Sequence, residues 1–163
     1  MRVSTYTRNA VNSIIDLALH RGRLVRLSSI AARQHLSVPY LEQIFAKLRR
    51  AGLITGVRGP GGGYRLIRDL PDISVADIML AMGDKVSITG CSDRKNCRGG
   101  DMCLSHELWS HLHGRILNYL TGITLEHLVE RASGGAVELP DMEPHFANPI
   151  AILSSSKSEK PAV

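Results

Sequence analysis

Three cysteines and one histidine crowd into a short stretch of this 163-residue chain. Cys91, Cys97 and Cys103 are separated by five residues each time, and His106 follows Cys103 after two more. The chain has no other cysteine. Ser92-Asp93-Arg94-Lys95-Asn96 and Arg98-Gly99-Gly100-Asp101-Met102 lie between them, polar where a core cysteine would have apolar neighbours. Glycines let a backbone wrap closely around an inorganic centre. Arg94, Lys95 and Arg98 favour thiolate over thiol. At helical spacing Cys103 and His106 project from one face. Four soft or borderline ligands fit tetrahedral zinc or an iron–sulfur cluster. Structural zinc sites more often use cysteine pairs about two to four residues apart. No such pair occurs here, which favours a cluster without excluding zinc, and a free-thiol redox loop is the reading without metal. His20, His35, His111, His113, His127 and His145 read as surface or core residues.

An odd cysteine count does not suit a disulfide framework. The residues Met1 to Arg8 lack the apolar stretch of an export signal, so the cytoplasm is the expected compartment. No apolar run approaches the ~18 residues of a membrane-spanning helix, and no membrane partner is expected. The apolar fraction of 44% excludes wholesale disorder. The net charge of +5 hides an asymmetry: residues 1–70 carry 12 Lys+Arg against 3 Asp+Glu, whereas 71–163 carry 8 against 12. A basic head on an acidic body suggests a nucleic-acid partner for the head.

The elements that must position these groups are mostly helical. Thr7 to His20 predicts a helix capped by Thr7, with Ala10, Val11, Ile14, Ile15, Leu17 and Ala18 at helical spacing. A short helix begins near Ser28, capped by Ser28 or Ser29, and ends at His35-Leu36. A third follows Ser37, with Pro39 in its first turn, an apolar stripe of Leu41, Ile44, Phe45 and Leu48, and Gly52 as its stop. Strands Leu53–Arg58 and Tyr64–Arg68 flank Gly59-Pro60-Gly61-Gly62-Gly63, which suits a hairpin tip. A fourth helix starts at Ser74, with Asp77 three residues on and Ile73 and Ile78 as a hydrophobic staple, and ends near Gly83. A long helix spans about 103–120, where Leu104, Leu108, Leu112, Ile116 and Leu120 repeat every four residues beside Trp109. A short helix follows Thr124.

Residues 28–51 have helix-turn-helix spacing, and 53–68 supply a wing directly after it. The fold expected is mainly α with a small β-hairpin wing, a winged helix-turn-helix head plus a long dimerisation helix. The head is 1–83, the metal-ligand loop 84–102, the dimerisation helix and short return helix 103–132, and a disordered tail 133–163. Pro39, Tyr40, Glu42 and Gln43 stand at the end of the reading helix that enters a major groove. There Gln can bond adenine in two places, and Glu can accept from cytosine N4. Lys47, Arg49 and Arg50 suit phosphates. Arg58 at the wing tip, with Gly59 beside it, suits a narrow minor groove. Leu104, Leu108, Trp109, Leu112, Ile116 and Leu120 are too apolar for one small domain and are expected to form a two-fold seam that presents two reading helices to successive major grooves.

Through these motifs the sequence resembles a bacterial family of winged-helix repressors that respond to iron–sulfur clusters. The segments YLEQIFAKLRRAGLI, VRGPGGGYRL, GCSDRKNCRGGDMCLSHELW and ITLEHLV carry the resemblance, which covers roughly residues 1–131. It implies a homodimer with one 2Fe–2S cluster per subunit on Cys91, Cys97, Cys103 and His106. It also implies a pseudo-palindromic double-stranded DNA operator, the iron–sulfur assembly machinery as cluster donor, and cluster occupancy that sets repression of cluster-assembly genes. By motif, Glu42, Gln43 and Arg58 are its DNA contacts. One position departs: Pro39 stands where a small hydroxyl residue is expected, which removes a hydrogen bond and alters the preferred site. The competing readings are a zinc-stabilised winged-helix repressor and an iron–sulfur carrier without specific DNA binding. An enzyme is not expected, because no paired carboxylates, nucleophile motif or phosphate loop stands out.

Overall fold

The computed structural model describes residues 3–84, 105–136 and 139. Helix α1 (Thr5–Leu19) is followed by α2 (Leu27–Gln34), α3 (Val38–Arg50), β1 (Ile54–Val57), β2 (Gly63–Leu66), a 3-10 turn (Leu70–Asp72), α4 (Val75–Met82), α5 (His106–Gly122) and α6 (Leu125–Ala132). The strands pair antiparallel in the register Ile54↔Leu66 to Val57↔Gly63. The expected mainly helical fold with a hairpin wing is present. The expected loop 84–102 lies outside the described residues apart from Asp84, and the expected tail 133–163 apart from 133–136 and 139.

Local chemistry sets most ends. Helix α3 starts on Ser37, whose Oγ accepts from Tyr40 N–H at 3.4 Å. It stops in a turn where Leu53 N–H donates to Leu48 O (3.1 Å) and Gly52 N–H to Arg49 O (3.0 Å), with Gly52 at φ +71°. Helix α4 has the expected reciprocal cap: Asp77 N–H donates to Ser74 Oγ (3.1 Å) and Ser74 N–H to Asp77 Oδ2 (2.9 Å).

Two starts differ from expectation. Helix α1 begins at Thr5, because Ser4 in extended conformation is the cap and accepts from Thr7 N–H at 3.1 Å. Thr7 is instead buried inside the first turn. Helix α2 begins at Leu27 without a side-chain cap, so neither Ser28 nor Ser29 serves. The reason is long-range. Val25 exchanges both backbone hydrogen bonds with Tyr64 (3.0 and 2.8 Å), which holds the chain extended until Arg26.

One core joins the helices. Ile14, Ile30, Leu41, Ile44, Phe45, Leu48, Ile54, Ile73 and Ile78 are fully buried together. Leu125 of α6 joins them, docked by Leu125 N–H to Ile73 O (2.7 Å) and Val75 N–H to Ile123 O (2.9 Å). The return helix, grouped with the dimerisation helix in the sequence reading, therefore packs into the head.

Asp16 clamps α1 to α2. Arg33 donates from Nη2 to Oδ1 at 2.6 Å and from Nε to Oδ2 at 3.0 Å, and Gln34 Nε2 donates to Oδ2 at 3.1 Å. Burial of Asp16 opposes its ionisation, but the Arg33 and Gln34 hydrogen bonds outweigh it and hold the carboxyl below its ordinary value. Asp16→Asn is expected to cost about 1.5–3 kcal/mol at neutral pH, the range for hydrogen bonds to a charged group. A carboxyl depressed on folding stabilises fully above its unfolded value and loses that contribution as pH falls through the folded value. Urea denaturation of both proteins across acid pH checks this; the gap between them should close on acidification, and a constant gap would remove the charge from the account.

Candidate nucleic-acid interface and metal-ligand segment

The N-terminal half of α3 presents Glu42 and Gln43 to solvent, while Leu41, Ile44 and Phe45 turn inward. Pro39 is exposed in the first turn. Arg49 and Arg50 are exposed at the far end, where Arg50 Nε donates to Ala46 O at 3.3 Å.

The wing follows immediately. Gly59 to Gly62 form a turn closed by Gly62 N–H to Gly59 O (2.9 Å), with Pro60 second and Gly61 third at φ +80°. Those are the residue types that a type II turn demands. At Gly63 a Cβ would meet Val25 O at 2.6 Å, so only glycine lets the hairpin close on that segment. Arg58 and Gly59 stand exposed where β1 enters the turn. The aromatic edge contact of Phe45 with Tyr64, 4.8 Å between centroids, fixes the wing to the reading helix. The two candidate DNA-contacting elements thus share one rigid base.

Two residues expected on DNA are engaged inside the protein. Lys47 Nζ donates to Met82 O at 2.9 Å and lies 4.8 Å from the centre of the Tyr6 ring. It ties α3 to the end of α4. Tyr40 is half-buried, its ring edge-on to Tyr6 and its hydroxyl accepting from Asn9 Nδ2 at 3.2 Å.

The end of α4 is fastened a second time. Asp84 Oδ2 accepts from Thr7 Oγ1 (2.6 Å), Ser4 Oγ (3.0 Å) and Ser4 N–H (3.2 Å). The Thr7 hydroxyl is the main reason that the Asp84 carboxyl is held below its ordinary value, with the Ser4 donors adding to it. Sequence reasoning missed Asp84 as an anchor, since its partners are about eighty positions away.

Cys91, Cys97, Cys103 and Leu104 lie outside the described residues. Of the four expected metal ligands the structure places His106, buried in the first turn of α5 with Nε2 3.4 Å from Ser110 Oγ. The segment 85–105 thus runs between two anchored residues, Asp84 and His106. Three thiols and one shielded imidazole form a donor set that fits an iron–sulfur cluster.

Along α5, Leu108, Trp109 and Leu112 are 62%, 40% and 36% exposed. Ile116 and Leu120 are half-buried, and Leu120 lines a cavity with Val75 and Met79. The expected seam is therefore split: its first half faces outward and its end turns to the head. Among the described residues no helix is long and apolar enough to cross a membrane.

Residues 3–131 match the family model described as Rrf2, iron-dependent transcriptional regulator. The HTH-type transcriptional regulator IscR of Photorhabdus laumondii is 46% identical over 130 residues, 79% of each chain. That of Vibrio atlanticus is 45% identical over 131 residues, 80% of this chain and 76% of the relative. Among solved structures, T. potens IscR has a TM-score of 0.66 at 36% identity, covering 86% of this chain and 94% of that one. The global cysteine regulator CymR of B. subtilis has a TM-score of 0.68 at 31% identity, covering 80% of this chain and 98% of that one. These relatives are regulators rather than enzymes, as the absence of a catalytic motif led one to expect.

Proposed function

The chain belongs to the Rrf2 family of transcriptional regulators, and from that premise we propose that it is a cytoplasmic homodimeric repressor that matches operator binding to iron–sulfur cluster supply. One observation carries this reading: the Cys-x5-Cys-x5-Cys-x2-His segment lies between Asp84 and His106, and Lys47 bonds the reading helix to the turn that opens that segment. Cys91, Cys97, Cys103 and His106 would hold a 2Fe–2S cluster received from the assembly machinery. When bound, such a group supplies ligand bonds that form only while clusters are available.

This chain's own residues do the rest. Lys47 and Asp84 hold the end of α4 against α3 and α1, so ligand bonds made by the segment after Asp84 bear on the angle of the reading helix. The exposed residues Leu108, Trp109 and Leu112 form the two-fold seam, and the pair of reading helices meets successive major grooves of a pseudo-palindromic double-stranded operator. Glu42 and Gln43 read base edges, Arg50 contacts phosphate, and Arg58 enters the minor groove. Pro39, unable to donate from a side chain, shifts the preferred operator sequence.

Arg58→Ala is expected to weaken operator binding by about 1–3 kcal/mol without altering the fold, measured by fluorescence anisotropy at fixed salt. Unchanged affinity would remove the wing from the interface.

A further inference from the structure

Four arginines surround one cleft that the reading helix does not use. Arg21 and Arg23 stand on the turn after α1, Arg65 on β2 and Arg68 just beyond it, all exposed and all lining the same space. The Val25–Tyr64 backbone pairing lays the turn antiparallel to β2, and so brings these residues side by side. The cleft has a volume of about 420 Å³, within the range of small-molecule sites. Its one carboxylate is Asp69. Among the described residues, none of the four guanidiniums has an ion-pair partner.

The lining is not wholly charged. Ile67, 56% exposed, and Leu24, half-buried, share it with the arginines. Four cations against one anion call for a ligand of about three negative charges. Guanidinium forks match phosphate oxygens in pairs. The aliphatic wall suits a flat apolar body attached to the charged end. A duplex is convex and too wide to enter a space of this size; its phosphates would touch only the rim. A lone inorganic anion would leave Leu24 and Ile67 uncovered.

We propose that this cleft binds a nucleoside di- or triphosphate, with its phosphates on Arg21, Arg23, Arg65 and Arg68 and its base against Leu24 and Ile67. The site shares wing strand β2 but includes none of Glu42, Gln43, Arg50 and Arg58, and it does not rest on the cluster reading. Because Arg65 stands on a wing strand, occupancy changes the charge of the wing itself.

Isothermal titration of the full chain with ATP and with tripolyphosphate, at physiological salt, tests it. Saturable binding of one ATP per chain is expected. Arg23→Gln with Arg65→Gln should weaken it at least about tenfold, and Arg21→Gln with Arg68→Gln should do the same. Arg26→Gln with Arg131→Gln, which removes equal charge outside the cleft, should change it less than about twofold. Ile67→Asp should weaken ATP more than tripolyphosphate. Equal losses in the cleft and control pairs would mean diffuse surface charge and overturn the proposal, as would the lack of saturation. Loss of operator binding in the cleft variants, without any ATP effect, would make the cleft a DNA-backbone surface instead.

Discussion

Replacing Cys97 by Ala is expected to abolish the visible absorption of protein purified without air, while leaving a folded dimer. The first half follows from the ligand set. Three thiolates and an imidazole would supply the four protein ligands a 2Fe–2S cluster needs, with no spare cysteine in the chain, so one deletion would open the site. The second half follows from where the core lies. Ile14, Leu41, Phe45, Ile73 and Leu125 are buried against one another by helix packing within the head. Asp84 stays held by Thr7 and Ser4, and α6 stays docked through Ile73, whatever happens to residues 85–104. The far-ultraviolet spectrum and melting midpoint should therefore stay close to wild type. Operator affinity should differ between wild type and the variant, and Lys47→Met should shrink that difference, because it cuts the bond from α3 to Met82. A colourless, zinc-bearing wild type that unfolds when Cys97 is replaced would overturn the cluster reading, since structural zinc is itself folding free energy.

What the residues told in advance, and what they did not, divides by distance along the chain. The Ser74–Asp77 cap and the Gly52 stop were legible because donor and acceptor lie within a turn of each other. So was the wing, where Gly-Pro-Gly at 59–61 specifies its own turn. Thr7 was misread as the α1 cap although Ser4 has the same hydroxyl. Both hydroxyls donate to Asp84, about eighty positions on, but only Ser4 stands extended ahead of the helix and accepts from Thr7 N–H. The cap of α2 was misassigned for the same kind of reason, a backbone pairing with Tyr64 that no local pattern announces. The bond from Lys47 to Met82 O was not legible, because the charge is visible in sequence and a carbonyl 35 positions on is not. The arginine cleft was hidden likewise: Arg21 and Arg23 are adjacent to Arg65 and Arg68 only once the turn lies along β2. The period-four stripe of α5 was plain, but only the packing shows that its two halves face different ways.

That split makes the seam testable without damage to the head. Leu108 and Leu112 lie four residues apart, on one face of α5, and both are exposed with Trp109 beside them. Leu108→Glu with Leu112→Glu is expected to give a monomer by sedimentation velocity with an almost unchanged melting curve, because exposed positions usually shift stability by no more than about 0.5 kcal/mol. In a dimer the two carboxylates would meet their symmetry copies, four charges in an apolar seam, which association cannot absorb. Operator affinity should fall by about 10²–10⁴-fold, the factor lost when two half-site contacts no longer act as one tethered pair. A single half-site duplex should bind the variant and the wild type alike, since Glu42, Gln43 and Arg58 remain on the head. Leu120→Glu is the contrasting case: that side chain lines the cavity against Val75 and Met79, so its loss should lower the melting midpoint first. A double variant that remains dimeric would move the seam off this face of α5, and the two reading helices would then need another element to hold them one helical turn apart.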